Sequence, residues 1–291
     1  METETPKKLR PEWILLIIAG VIGVALLVIA LISLPYMRSQ EPPAPTKPAV
    51  TQPATEPPTE PTEPPLLDIP LNPYGGNDFQ YDGDYLRCLR TETAPGVDVS
   101  AFQGQIDWEK VADSGIEFAI IRLGYRGYGK AGTLVEDEYA RANLEGAIAA
   151  GLEVGAYFFS QAVNTQEVAE EVAFMLEILK DYELTMPVVF DWEYVSETAR
   201  TANVDKRTLT DCTLEFCRLM EEAGYEPMIY FNSYQSRYMM HLDELEQYPF
   251  WLALYTDRMF YPYKVDMWQY TCTGRVPGIQ GDVDINVRFF D

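Results

Sequence analysis

Histidine is nearly missing from this chain: His241 is the only one in 291 residues. That scarcity removes most imidazole-based catalysis and any metal site that needs several imidazoles. Cysteine is sparse as well. The four, at positions 88, 212, 217 and 272, show no C-x-x-C spacing, which excludes a zinc ribbon or a thioredoxin-type redox motif. Positive charge is scarce: 22 Lys plus Arg stand against 45 Asp plus Glu, a formal charge of −23. Phosphate binding needs clustered Lys and Arg, so no nucleic-acid partner is expected. A hydrophobic content of 47% excludes a wholly disordered chain, and the length leaves room for one or two domains with a real core. No metal and no cofactor is expected. The chemistry left to this sequence is that of carboxylates.

Composition divides the chain sharply. Lys7, Lys8 and Arg10 precede an uncharged run at 13–34, WILLIIAGVIGVALLVIALISL. At 1.5 Å per residue it spans about 33 Å, enough to cross a hydrocarbon core. It ends in LPYMRSQ, without the small-residue exit of a cleaved signal. The basic residues lie mostly before it, so the N-terminus is expected inside and the bulk of the chain outside. Residues 1–12 then read as a cytoplasmic tail and 13–35 as a single transmembrane anchor. Residues 36–65 read as a stalk rich in Pro, Thr and Glu; its proline density favours polyproline II, about 3.1 Å per residue, over packed structure. Segment 66–93 reads as an irregular lead-in without assigned chemistry.

From 94 to 291 strand and helix patterns alternate. Short apolar or aromatic runs recur at 96–100 (GVDVS), 118–125 (FAIIRLGY), 153–160 (EVGAYFFS), 187–193 (PVVFDWE) and 227–232 (PMIYFN). Amphipathic stretches separate them: VEDEYARANLEGAIAAG, TQEVAEEVAFMLEILKDY and TLTDCTLEFCRLMEEAG. Thr165 is the expected N-cap of the second, and Gly151 and Gly224 the expected C-terminal caps. One more helical stretch is expected after Asn232, followed by three runs with little helix between them: FWLALY, DMWQYT and VDINVRFF. Eight strands in this order predict an α/β fold, a parallel sheet closed into a TIM-like barrel.

In such a barrel, function collects where strands run out at their C-terminal ends. Asp98, Asp191, Glu193, Asn232, Tyr255 and Gln269 satisfy that rule, whereas Asp284 begins its run. Asp191 and Glu193, two apart, are expected on one face. Two like charges behind PVVF repel and lose water, so one is expected to hold a proton while its neighbour stays ionised. Cleavage of a glycosidic bond requires such a pair. Tyr125, Phe159, Trp192, Trp251 and Trp268 lie in or beside strand runs and offer flat rings to sugar faces. Cys212 and Cys217 point to different faces of one helix, so no bond is expected between them; a Cys88–Cys272 bridge is permitted outside the cell. His241 reads as a helix-surface residue.

Six segments in order, from GVDVSAFQGQIDWEKV through FAIIRLGYRG, AGLEVGAYFFSQA, PVVFDWE and GYEPMIYFNS to MWQYTCTGRVPGIQGDVDIN, are similar to the glycoside hydrolase family 25 muramidases, lysozymes of the Chalaropsis type. The resemblance implies an irregular (β/α)5(β)3 barrel over residues 94–291. It implies Glu193 as general acid/base, Asp191 as its partner, and Asp98 and Asp284 completing an acidic ring. Tyr125, Phe159, Asn232, Tyr255, Trp268 and Gln269 are the substrate-binding candidates. The implied partner is the glycan strand of peptidoglycan, cut by a monomeric enzyme between N-acetylmuramic acid and N-acetylglucosamine, with a role for the sugar's own N-acetyl group. The third strand departs from the family: it reads YFFS where a histidine or tyrosine is often found among those aromatics. The competing reading is a non-catalytic wall-glycan-binding domain tethered to the membrane, against which the retained D-x-E argues. A metal-dependent deacetylase would need a histidine-rich site that one histidine cannot supply, and a serine hydrolase would need His241 as base, which its expected helix setting disfavours.

Overall fold

Alternation of side chains along the strands builds the molecule from inside out. The computed structural model describes residues 66–290, so the expected tail, anchor and stalk lie outside the described residues. Among the described residues, no helix is long and apolar enough to cross a membrane. The strands are β1 (Phe79–Asp82), β2 (Tyr85–Cys88), β3 (Thr93–Val99), β4 (Phe118–Arg126), β5 (Leu134–Glu136), β6 (Glu153–Ser160), β7 (Val188–Trp192), β8 (Pro227–Asn232), β9 (Phe250–Ala253), β10 (Met267–Gly274) and β11 (Val283–Phe289). The helices are α1 (Trp108–Asp113), α2 (Ala140–Ala149), α3 (Thr165–Leu179) and α4 (Lys206–Glu222).

Eight strands close a barrel in the order β3-β11-β10-β9-β8-β7-β6-β4, with β4 pairing back onto β3 and β5 attached outside as a hairpin partner of β4. All are parallel except β11, which runs antiparallel to both β10 and β3. Alternate residues fill the lumen: Ala94, Phe118, Ile120, Val189, Met228, Tyr230, Trp251 and Met267 form one buried cluster. Their neighbours Val97, Ala119, Ile121, Phe190, Ile229 and Leu252 face outward into a second layer with Leu144, Met175, Phe216 and Met220 of the helices. Gly96 belongs to the lumen set because the Phe118 ring lies where its Cβ would be, 2.3 Å away. Any side chain there would push the ring out of the barrel.

Several local expectations shift. The first amphipathic stretch begins as strand: Val135 and Glu136 pair in β5, and helix starts only at Ala140. Asn164, not Thr165, caps α3, since its extended backbone lets Oδ1 accept from the Glu167 N–H at 3.0 Å. Gly151 and Gly224 do follow their helices with positive φ, 79° and 86°. After Asn232 there is no full helix but a π-turn (Gln235–Met239) and a 3-10 turn (Leu242–Glu244). Segment 66–92 is less irregular than expected. Its β1–β2 hairpin lays Phe79 edge-on against Trp268 at 5.1 Å, Tyr74 stacks on Phe289 at 5.3 Å, and the Leu86 N–H donates to the Tyr270 hydroxyl. All four cysteines are free thiols, Cys88 buried and Cys272 exposed.

Candidate active site

Asp98 ends β3, and in the antiparallel register Asp284 lies directly opposite it. A strand that runs backwards begins where its neighbours end. Asp284 therefore reaches the same mouth as Asp98, although it opens its own run. On the far side, Asp191 in β7 and Glu193 just beyond it share one parity with lumen residue Val189. The four carboxylates line one cavity of about 220 Å³, together with Arg122, Tyr157, Phe159, Tyr230, Trp251, Tyr255 and Gln269. Among the described residues, no three His, Cys, Asp or Glu side chains are grouped as a metal ion would need.

A hydrogen-bond chain fixes Asp98. Its Oδ2 accepts from Gln269 Nε2 and Asn286 Nδ2, each at 2.8 Å. Trp251 Nε1 donates to Asn286 Oδ1 at 2.9 Å, and the Tyr230 and Tyr255 hydroxyls both donate to Gln269 Oε1 at 3.1 Å. Each amide is thus locked in one orientation with its NH2 toward the carboxylate. The Ser100 side chain caps the turn after β3 (Ala101–Gln103), and Gln103 reaches back to the Ser100 N–H at 2.9 Å, holding Phe102 at the rim.

Burial dominates the electrostatics. Asp98 is held well above the usual carboxylate range by desolvation and then by the charge of Asp284, against the pull of its two amide donors. Asp191 is also pushed well up, by burial first and then by Glu193 and Asp98, with Arg122 opposing. Glu193 is raised by burial, offset by a hydrogen bond with Asp191. Burial lifts Asp284 to about 6. Asp191 and Glu193 are thus both pushed toward their protonated forms, and their titration belongs to the pair. The second Asp191 oxygen, Oδ1, is buried without a hydrogen-bond partner. Such an acceptor is costly unless a ligand supplies the donor. Arg122 is the one basic residue in the lining. Its Nε is anchored to buried Asp137 at 2.7 Å, and its guanidinium lies 5.1 Å from the centre of the Phe102 ring.

Two buried glutamines hold the end of β7. Gln161 Nε2 donates to the Glu193 carbonyl and Gln235 Nε2 to the Trp192 carbonyl, each at 2.6 Å. Gln161 is itself gripped by Thr201 Oγ1 and by Arg200, whose guanidinium pairs with Glu167. Glu193 lies past the end of β7 and Trp192 past its last pair with β8, and the glutamines replace the missing strand partners there.

Of the sequence candidates, Asp98, Asp191, Glu193, Asp284, Phe159, Tyr255 and Gln269 come together in the cavity. Tyr125 lies next door, in a groove that shares Phe159. Trp268 and Asn232 are not brought in. Trp268 is fully buried on the outer face of β10, donating to the Leu254 carbonyl at 2.8 Å. Asn232 is spent on its own turn, where Oδ1 accepts from the Tyr234 and Gln235 N–H groups. Trp251, one of the flat rings noted in the sequence, does line the cavity, whereas Arg122, Tyr157, Tyr230 and Asn286 were not among the candidates, yet their parity with Ile120, Phe159, Met228 and Asp284 marks them. Tyr157 puts a phenol, kept neutral by burial, where YFFS suggested a lost polar contact.

Residues 97–279 match the family described as Glycosyl hydrolases family 25. Lysozyme M1 of Streptomyces globisporus is 28% identical over 210 residues, 67% of this chain and 68% of its own length. The modular autolysin LytC of Streptococcus pneumoniae, solved in complex with a synthetic peptidoglycan ligand, superposes with a TM-score of 0.59 at 28% identity. That match covers 67% of this chain but only 46% of LytC, so this chain spans under half of that modular protein. The bacterial lysozyme of Streptomyces coelicolor gives a TM-score of 0.55 at 26% identity, over 69% of this chain and 94% of its own.

Proposed function

Because this glycoside hydrolase belongs to glycosyl hydrolases family 25, we propose that it cleaves the β-1,4 bond between N-acetylmuramic acid and N-acetylglucosamine in peptidoglycan, acting as a monomer with Glu193 as the acid. The observation that carries this reading is the Asp191–Glu193 pair, two buried carboxyls hydrogen-bonded to each other with a third and fourth carboxylate alongside. An inverting enzyme separates its carboxyls by roughly 6.5–9.5 Å to admit a water. Carboxyls close enough to share a proton leave no such gap.

The pair fits attack by the substrate's own acetamido oxygen. Burial favours the protonated form of Asp191. An acetamido N–H donating to the unpartnered Oδ1 would favour ionised Asp191 and shift that proton to Glu193. Glu193 then protonates the leaving glycosidic oxygen while the acetamido carbonyl oxygen bonds to the anomeric carbon. Ionised Asp191 and the Asp98–Asp284 pair stabilise the cationic ring formed, in a site where fixed charges need no reorganisation. Water opens the ring, giving its proton back to Glu193.

Digestion of purified peptidoglycan by the full chain, with mass spectrometry of the reduced fragments, tests the bond assignment. Fragments ending in N-acetylmuramic acid are expected. Ends in N-acetylglucosamine would overturn it, and binding without cleavage would favour the glycan-binding alternative. A sugar ester on Asp191, seen in the intact mass of quenched enzyme, would sink the acetamido route.

Gln161 acts in this reading as a positioning residue. Gln161→Met keeps the volume but removes the donor to the Glu193 carbonyl. Steady-state kinetics should show kcat down about tenfold with KM within twofold, and a displaced alkaline limb in the pH profile. A raised KM at unchanged kcat would show that Gln161 does not orient the acid.

The apolar run at 13–34 and the proline-rich segment after it support a location at the cell membrane, a single pass with the hydrolase outside facing the wall. A charge of −23 gives no attraction to anionic wall polymers, and a tether would supply proximity instead.

A further inference from the structure

Beside the catalytic cavity, and sharing Phe102, Arg122 and Phe159 with it, runs a second and roomier groove of about 650 Å³. Its lining is of another kind. Tyr125, Tyr128, Val135 and Val195 give it apolar walls, and Tyr128, Val135 and Val195 are exposed although large and hydrophobic. Its rim is acidic: Glu136 and Glu138 project there. Arg141 pairs with Glu136 at 2.8 Å, while Glu138 has no ion-pair partner among the described residues. Arg122, the basic group in this lining, is already bound to Asp137. The groove is built outside the barrel, by the turn after β3, the β4–β5 hairpin and the segment after β7.

Sugar hydroxyls need converging polar partners, and these walls offer few. A peptidoglycan strand has one other component beside the scissile bond. Muramic acid carries a short peptide on its lactyl ether, with small apolar side chains and a diamino acid whose free amine is cationic. Methyl groups suit the Tyr128, Val135 and Val195 walls, and an ammonium suits Glu138. Continuity matters as much as chemistry, because a substituent leaving the cavity past Phe102 and Phe159 enters this groove directly.

We propose that the groove binds the stem peptide of muramic acid, so that the enzyme selects peptide-bearing glycan strands over strands stripped of peptide. The proposal rests on the muramidase reading above and extends it to a substrate class.

Binding is separated from cleavage in the test. The full chain carrying Glu193→Gln is titrated by calorimetry with soluble glycan fragments of equal length, either bearing the peptides or stripped of them by an amidase. Peptide-bearing fragments should bind at least about tenfold more tightly. A second protein adds Tyr128→Ala, Val195→Ser and Glu138→Gln, all at exposed positions. It should lose that preference while binding stripped fragments unchanged. Equal affinity of the first protein for both ligands would overturn the proposal. So would a loss on both ligands in the second protein, which would mean that sugar occupies the groove. Turnover of the same two substrates by the unmodified chain is read alongside. A peptide preference in binding without any cleavage would leave the groove standing and remove the hydrolase reading, and cleavage without preference would do the reverse.

Discussion

Glu193→Gln should lower turnover on peptidoglycan at least about a thousand-fold, with KM little changed. Gln is the same size and keeps a hydrogen-bonding head, so the substitution removes the proton and little else. General acid catalysis is worth about 10²–10⁴-fold, and departure of a sugar alkoxide without a proton lies at the upper end of that range. The wild-type profile should be bell-shaped. Its alkaline limb reports loss of the proton held by Asp191 and Glu193, and its acid limb the filling of the second carboxyl. In the variant the alkaline limb should disappear, because no proton remains to be lost from position 193. Asp191→Asn should also cost activity, but it should keep an alkaline limb, since Glu193 still titrates. Turnover of Glu193→Gln within tenfold of wild type would mean that another carboxylate is the acid.

Asp284→Asn should raise the melting temperature at pH 8 by about 5 °C while leaving it nearly unchanged at pH 4. The sign follows from linkage. Burial lifts the Asp284 carboxyl from 3.8 to about 6 in the folded protein. Between those values the native state binds more protons than the unfolded one, so stability falls as pH rises. The contribution is fully present below about pH 4 and gone above about pH 6 to 7. A two-unit shift corresponds to about 3 kcal/mol at most, and 1 kcal/mol moves the melting point of a domain of this size by roughly 2–4 °C. Removing the charge also relieves Asp98, which Asp284 pushes upward. The variant should keep part of the wild-type pH slope, because buried Glu171, raised to about 7 despite Arg126 and Ser160, titrates independently. Calorimetric melts from pH 4 to 8 would settle it: equal destabilisation at both ends would mean that Asp284 is structural. A gain in stability with a loss of activity is what a site built from crowded charges should show.

The D-x-E pair and the strand-end rule lead to Asp98, Asp191 and Glu193 and to Gln269 and Tyr255 from the sequence alone, whereas Asp284 breaks that rule and is implied only by the family resemblance. The rule misplaces Asn232, and the search for flat rings misplaces Trp268. Adjacent residues on a strand cannot both face the lumen, and because Gln269 points in, Trp268 must point out, where Phe79 of the lead-in hairpin covers it. Lumen parity would also have found Arg122, Tyr157, Tyr230 and Trp251. It would not have found Gln161 or Gln235, whose partners lie 32 and 43 residues away. Nor does parity explain Tyr125: a register shift in β4 between Arg122 and Gly124 resets the alternation before it.

The sequence by itself determined the order of the eight barrel strands and of the three long helices among them, the poverty in histidine that leaves carboxylates as the candidate reactive groups, and which of them share a strand face. These are local properties, set by periods of two and 3.6 and by residue type. Only the tertiary structure decided that β11 runs backwards and brings Asp284 opposite Asp98, that the D-x-E carboxyls are buried against each other, and that an apolar groove opens beside them. Strand direction is settled when the barrel closes. Carboxyl titration depends on burial and on charges from distant parts of the chain, and no short stretch of sequence contains either.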